Sequence, residues 1–167
     1  MKRISMLSLS AVLALGVASI SDSAFAQQKV TKDQLVGTWT LVSCTGANGA
    51  AGCVNVNGRA MFDTTGQIMV TTVPRGRPKC SGACGRAQMS GDQYKAAMQG
   101  ITAYFGNWSF NEADQTLTET LEAALFPNNE GIGGKSKVSL TGDELRIVYE
   151  AGGLGFGGRT EIWRRVR

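Results

Sequence analysis

Short segments with strand-like alternation of apolar and polar residues recur along this 167-residue chain, and the connections between them alternate in length. The predicted strands span 35–44, 58–63, 67–73, 101–111, 115–125, 135–140, 144–150 and 159–166. Tight turns follow the second, fourth and sixth strands, and long loops follow the others. Successive connections of an up-and-down antiparallel sheet lie at opposite ends. One end is therefore closed by turns and the other is an open mouth.

This alternation predicts an all-β chain, an eight-stranded antiparallel up-and-down barrel with a short helix inserted between the third and fourth strands. The helix follows from Ser90-Gly91-Asp92-Gln93, which has the form of a capping box, and it is expected to end at Gly100. A sandwich with Greek-key crossings would not need alternating loop lengths. The sequence therefore favours closure of the sheet on itself.

The first strand supplies a test of closure, because Gly37, Trp39, Leu41 and Ser43 alternate onto one predicted face. If this strand pairs with the last one, Trp39 lies beside the segment Trp163-Arg164-Arg165. An arginine over an indole face makes a stabilising cation–π contact, and we expect Arg165 to occupy that place. Gly37, Trp39, Trp163 and Arg165 are thus predicted to form the barrel floor.

The N-terminus has the pattern of a secretory signal peptide: Met1-Lys2-Arg3, an apolar run to about Ile20, and the small-x-small site Ala24-Phe25-Ala26. We expect residues 1–26 to be removed, leaving 27–167 as one exported domain, periplasmic or secreted. The sequence after residue 26 contains no second long apolar segment, so we expect no membrane span after cleavage. The chain has a mild net charge of +4, and it has no basic stripe interleaved with aromatic residues. We therefore do not expect it to bind nucleic acid.

Four cysteines in an exported chain indicate disulfides, and four allow three pairings. The local pairing, Cys44–Cys53 with Cys80–Cys84, is favoured because each pair brackets a glycine-rich loop. A zinc site of four cysteines is the alternative, but neither half has CxxC spacing. The chain contains no histidine, which excludes Ser-His-Asp and Cys-His catalysis and histidine metal sites. We expect no metal and no cofactor.

Several motifs resemble one family. The Gly37-x-Trp39 strand with a C-terminal Arg165 resembles the lipocalin signature, and further stretches are similar to the bacterial and fungal lipocalin-like domain family. These stretches, in family order, are Gly58–Phe62, Pro74–Pro78, Tyr94–Gly106, Leu125–Asn128, Leu140–Leu145 and Trp163–Val166. The resemblance implies an eight-stranded barrel with an internal cavity, and for some relatives a cyclase or isomerase activity. This chain departs from it at Thr118-Glu119-Thr120, where relatives often carry histidines, and at Asn129, where they tend to have tryptophan.

Candidate binding residues come from predicted inward faces and from the mouth. Tyr104, Trp108 and Phe110 share a face of the fourth strand and are either core or a ligand wall. Glu119 shares a face with Leu117, Leu121, Ala123 and Leu125. If that face points inward, desolvation would raise the pKa of the carboxylate; the alternative is an outward position or a salt bridge. The remaining candidates are Tyr149 and two arginines of a basic mouth segment, Arg75 and Arg77.

Three functions are compatible with these residues. The first is binding of a small hydrophobic or amphipathic molecule, with an anionic head group as one form because the mouth is basic. The second is a cyclase- or isomerase-type enzyme that uses Glu119, the weak catalytic candidate, with Tyr104 or Tyr149. The third is a structural or interaction module whose barrel is filled by side chains, since eight strands enclose little space.

Overall fold

A computed structural model describes residues 29–46, 49, 52–53, 55–79, 85–152, 154 and 158–167. Within these residues, two α-helices, α1 (Lys32–Leu35) and α2 (Gly91–Met98), and two short 3₁₀ helices, Arg86–Gln88 and Pro127–Asn129, accompany eight strands. The strands are β1 (Gly37–Gly46), β2 (Val56–Phe62), β3 (Gln67–Pro74), β4 (Thr102–Asn111), β5 (Thr116–Ala124), β6 (Gly133–Thr141), β7 (Glu144–Tyr149) and β8 (Arg159–Arg165). The predicted signal peptide lies outside the described residues.

The strands form a closed antiparallel barrel in which each strand pairs with the next and β1 pairs with β8. This confirms the predicted fold, including the helix between β3 and β4. Tight turns join β2 to β3, β4 to β5 and β6 to β7 at one end. The carboxylate of Asp63 organises the first of them by accepting from the backbone N–H of Gln67 (2.7 Å) and Thr65 (2.9 Å), and chiefly the Gln67 bond lowers the pKa of Asp63.

The closed end is sealed around Trp39, whose side chain is fully buried. Its indole Nε1 donates to the carbonyl of Leu35 in α1 at 2.9 Å, and the guanidinium of Arg165 lies 4.2 Å from the ring centroid. Arg165 also donates to the carbonyls of Val36 (2.9 Å) and Gln34. At Gly37, φ is +132° and an added Cβ would meet Arg165 Nη1 at 3.0 Å, so a side chain there would be strained and crowded.

The predicted alternation of inward and outward residues in β1 does not hold at the end of the strand nearest the mouth. A bulge between Leu41 and Ser43 shifts the pairing with β8, so that Ser43 is exposed and Cys44 is buried. The prediction that Ser43 shares the face of Trp39 is therefore wrong, because a bulge adds one residue and reverses the parity that follows it.

A second bulge, in β5, has the same effect near the mouth. Phe105 pairs with Ala123 and Gly106 with Leu121, which leaves Glu122 as the extra residue. Ala124 packs on the core whereas Leu125 is exposed, so Leu125 does not share the inward face predicted for it. The backbone of β5 comes close enough here that a Cβ on Gly106 would lie 2.0 Å from the Thr120 carbonyl oxygen.

Candidate binding site in the barrel interior

The predicted site residues separate into an inner and an outer group. Tyr104, Trp108, Glu119 and Tyr149 are buried inside the barrel, and Phe110 is half-buried beside them. Arg75 and Arg77 are exposed: the Nε of Arg75 donates to the Asn57 side chain on the outer face of β2, and Arg77 donates to the Ala97 carbonyl of α2. The structure thus brings the aromatic and acidic candidates together and leaves both arginines outside that group.

Glu119 is the most unusual of the inner residues, a carboxylate that is only 1% exposed. The hydroxyl of Tyr104 donates to its Oε1 at 3.2 Å, whereas its Oε2 has no hydrogen-bond partner among the described residues. Burial, together with the nearby charge of Glu161, raises the pKa of Glu119 to about 7. A carboxyl group in this state exchanges a proton near neutral pH.

A second carboxylate, Glu161, points inward from β8 and is 2% exposed. Its Oε1 forms an ion pair with the guanidinium of Arg159 at 2.7 Å, and its Oε2 accepts a hydrogen bond from the indole Nε1 of Trp163 at 3.0 Å. Burial raises the pKa of Glu161, and the Arg159 charge opposes that rise. The Arg159 guanidinium also lies 5.0 Å from the centroid of the Tyr149 ring. Trp163, predicted as floor, therefore links the floor to this ion pair.

Ser136 completes the inner group, and reasoning from the sequence missed it. It is 2% exposed, pairs with Leu117 on one side and Tyr149 on the other, and its Oγ has no hydrogen-bond partner among the residues described. The signal was present: alternation in the sixth predicted strand places Ser136 on the same face as Val138. We call Tyr104, Glu119, Ser136, Tyr149, Arg159 and Glu161 the interior polar cluster.

The two tyrosines of the cluster stay protonated. Burial raises the pKa of Tyr104 and of Tyr149 well above 10, and the charge of Glu119 adds to the effect in both. They act as hydroxyl donors. Arg159 is paired to Glu161 and its charge opposes the rise in the pKa of Glu119, but no salt bridge within the described residues reaches Glu119. The cluster can therefore accept hydrogen bonds and hold or release a proton.

Trp108 lies directly opposite Glu119 in the sheet but contacts the floor side of the barrel. Its ring packs edge-on against Phe62 at 5.2 Å, and the ammonium of Lys32 lies 5.2 Å from its ring centroid. Its Nε1 is buried and has no partner within the described part of the chain. Phe110 is one step nearer the floor, opposite Leu117.

Two features lie near the cluster at the mouth end of the barrel. Leu154, in the β7–β8 loop, is 1% exposed and lies over Gly134, where an added Cβ would meet its Cγ at 2.6 Å. The disulfide Cys44–Cys53 is present, as predicted, and Cys44 pairs with Glu161 across β1 and β8. The predicted bridge Cys80–Cys84 lies outside the described residues.

Two negative findings apply to the described residues alone. No group of three histidine, cysteine, aspartate or glutamate residues among them is arranged to hold a metal ion. None of their helices has the length and apolar character needed to cross a bilayer.

A model of the lipocalin-like domain family matches residues 36–165, a range that includes every strand of the barrel. The chain belongs to the lipocalin-like domain family. The resemblance predicted from the Gly37-x-Trp39 strand and the later motifs is correct at this level. No curated protein matches the chain significantly.

Several solved structures are similar to this member of the family. The REP1-NXSQ fatty acid transporter is 8% identical over 81% of this chain and 98% of its own, with a TM-score of 0.39. A variant of the fluorescent protein UnaG is 9% identical over 82% and 99%, with a TM-score of 0.39. As-p18, an extracellular fatty acid binding protein, is 11% identical over 80% and 97%, with a TM-score of 0.38. At these values no ligand is inferred for the present chain.

Proposed function

We propose that this lipocalin-like barrel binds a small hydrophobic or amphipathic molecule, with the interior polar cluster orienting its polar end. The observation that carries the proposal is a pair of buried atoms, Glu119 Oε2 and Ser136 Oγ, that have no partner among the described residues. Leaving such an atom unsatisfied costs about 1–3 kcal/mol. Apolar neighbours, with a few polar groups that fix orientation, are the usual composition of a small-molecule site.

A matched pair of substitutions tests binding in the interior. Ser136 faces inward on β6, and Ser139, three residues along, lies on the outer side of the same strand between Val138 and Leu140. Ser136→Leu adds bulk beside Glu119, whereas Ser139→Leu adds the same bulk outside. We expect native protein and Ser139→Leu to bind an uncharged environment-sensitive dye such as N-phenyl-1-naphthylamine and Ser136→Leu to bind it at least about tenfold more weakly.

Native mass spectrometry of the purified protein is the complementary measurement, because a retained molecule would appear as a mass increment removed by denaturation. Equal dye binding by both leucine variants, with no retained mass, would favour the filled barrel that serves as a structural or interaction module.

An acid–base enzyme of the cyclase or isomerase type is the second candidate. It is favoured by the Tyr104–Glu119 hydrogen bond and by a Glu119 pKa of about 7, which suits proton transfer at neutral pH. Proton NMR in D₂O, with small apolar ketones as probes, would detect catalysed exchange next to the carbonyl. Glu119→Gln should abolish that exchange and Glu122→Gln, on the exposed side of β5, should preserve it. Exchange that survives Glu119→Gln contradicts this assignment.

We also infer that the protein is an exported member of the bacterial and fungal branch with a GxW-type floor, processed after residue 26 into a domain of residues 27–167. The Cys44–Cys53 disulfide supports an oxidising compartment, and Arg165 over Trp39 supports the GxW type. Cell fractionation with N-terminal sequencing tests this. A cytoplasmic protein that retains residues 1–26 would contradict it.

A further inference from the structure

We propose that the polar end of the bound molecule is a hydrogen-bond donor, best of all a protonated amine, seated between Glu119 and Ser136. The inference rests on the proposed function and names the chemistry of the ligand's buried end. It departs from the anionic head group that the basic mouth predicted.

The balance of charge inside the barrel is the first reason. Among the described residues, two buried carboxylates, Glu119 and Glu161, lie with one guanidinium, that of Arg159. Arg159 is paired to Glu161, and no salt bridge among the described residues reaches Glu119. A ligand carboxylate placed here would face like charge in a poorly solvated site, whereas an ammonium would face opposite charge.

The geometry of the unpartnered atoms is the second reason. Glu119 pairs with Gly134, and Ser136 is two residues further along β6 on the same face. The Cα atoms of diagonal neighbours of this kind are roughly 7–8 Å apart. One polar group placed between the two side chains can therefore contact both. A carboxylate oxygen and a hydroxyl oxygen both accept hydrogen bonds, and an ammonium has three donors.

A hydroxyl group should bind second best. It donates to Glu119 and accepts from the hydroxyl of Ser136, but it brings no charge. The indole Nε1 of Trp108 is a donor without a partner in the described chain, and it offers nothing to an ammonium. The apolar part of the ligand would contact the buried apolar side chains of the interior, among them Leu117, Leu121, Val138 and Leu154.

Three probes of equal chain length separate the possibilities: decylamine, decanol and decanoate. Titration calorimetry at about pH 8, below the micelle concentration of each probe, keeps the amine protonated and the acid ionised. We expect one site per chain and affinities in the order amine, alcohol, acid, with the amine at least about tenfold tighter than the acid. A hydrogen bond to a charged group is stronger than one between neutral groups, so Glu119→Gln should weaken decylamine binding by about tenfold or more.

Two variants refine the test. Glu122→Gln removes a carboxylate from the exposed side of the same strand, and it should leave all three affinities unchanged. Ser136→Ala should weaken both decylamine and decanol by several fold while decanoate stays weak.

The outcomes are distinguishable. Decanoate binding tightest, or decylamine binding equally to native protein and Glu119→Gln, overturns the inference and leaves the proposed binding function intact. Native protein that binds none of the three probes overturns the proposed function itself. The expected order, abolished by Glu119→Gln and unchanged by Glu122→Gln, supports both.

Discussion

The floor of the barrel and its interior polar cluster both place charged residues against aromatic rings, but Arg165 at the floor donates to the chain's own carbonyls, whereas two buried oxygens of the cluster have no partner among the described residues. At the floor, Arg165 lies on Trp39 and donates to the carbonyls of Val36 and Gln34. In the cluster, Arg159 and Glu161 form a pair, while Glu119 Oε2 and Ser136 Oγ remain without partners among the described residues.

The partners at the floor also differ in kind. They are backbone carbonyls of the chain's own first turn, which exist in any sequence that folds this way. The cluster instead depends on side chains from several strands, and its unmet hydrogen-bonding capacity costs free energy unless something fills it. Substitutions at the floor should therefore change stability, and substitutions in the cluster should change binding and the pH dependence of stability.

The largest expected effect is at the floor. Trp39→Ala removes a fully buried side chain and leaves a cavity under Arg165, which typically costs about 3–5 kcal/mol in the free energy of unfolding. Urea denaturation followed by circular dichroism measures it. Met69→Ala, an exposed site on the outer side of β3, is the control and should stay within about 0.5 kcal/mol of native. A cost below about 1 kcal/mol for Trp39→Ala would mean that the floor does not hold the barrel together.

Glu119→Gln should have the next largest effect, and it should stabilise the protein at alkaline pH. The folded pKa of Glu119 is about 7 and its ordinary value is 4.5, so the folded state binds more protons between these values. The contribution of Glu119 to stability therefore falls as the pH rises from about 4.5 to about 7 and then levels off. Gln imitates the protonated form at every pH, so the variant should gain about 3 kcal/mol over native at about pH 8 and almost nothing near pH 4.5.

Denaturation at both pH values, with Glu122→Gln beside it, checks the sign as well as the size. Glu122→Gln should track the native protein at both. Should Glu119→Gln prove less stable than native at the higher pH, the charge of Arg159, which opposes the rise in the pKa of Glu119, would outweigh the cost of burying the carboxylate.

The disulfide should have a smaller and more local effect. A double substitution of Cys44 and Cys53 by alanine opens a short loop, for which the chain-entropy estimate is about 2–3 kcal/mol. Hydrogen exchange would show where the loss falls. The amides of Cys44 to Gly46 at the mouth should lose protection while that of Trp39 keeps it. Equal loss of protection at both places would show that floor and mouth unfold as one unit and do not differ in local stability.

The sequence was sufficient for the parts of the fold that local rules control. Alternation of apolar residues gave the strands, and glycine and proline positions gave the turns. Loop lengths gave the closure of β1 on β8, and with it the place of Arg165 beside Trp39. Each of these depends on residues close together in the chain or on the order of the strands, which a single sequence displays.

The candidate site was harder to predict from the sequence, because it depends on how the strands pair. Bulges after Leu41 and at Glu122 reversed the predicted faces of Ser43 and Leu125, and no residue at either place announces a bulge. Ser136 could be predicted to face inward, but not to lack a partner, since that depends on how far its neighbours' side chains reach. The ion pair between Arg159 and Glu161 depends in the same way on how these side chains extend.

The smallest effect expected is at Arg165, and it tests the contrast most directly. Arg165→Met keeps much of the apolar contact with Trp39 but removes the donors to the Val36 and Gln34 carbonyls, for about 1–2 kcal/mol in the free energy of unfolding. Arg164→Met, at the exposed neighbouring position, should cost less than about 0.5 kcal/mol. Neither should change the affinity for decylamine by more than about twofold, because both lie away from the cluster. If Arg165→Met instead weakened ligand binding more than it weakened folding, floor and cluster would be energetically coupled, although the side-chain hydrogen bonds of Arg165 go to the backbone carbonyls of Val36 and Gln34.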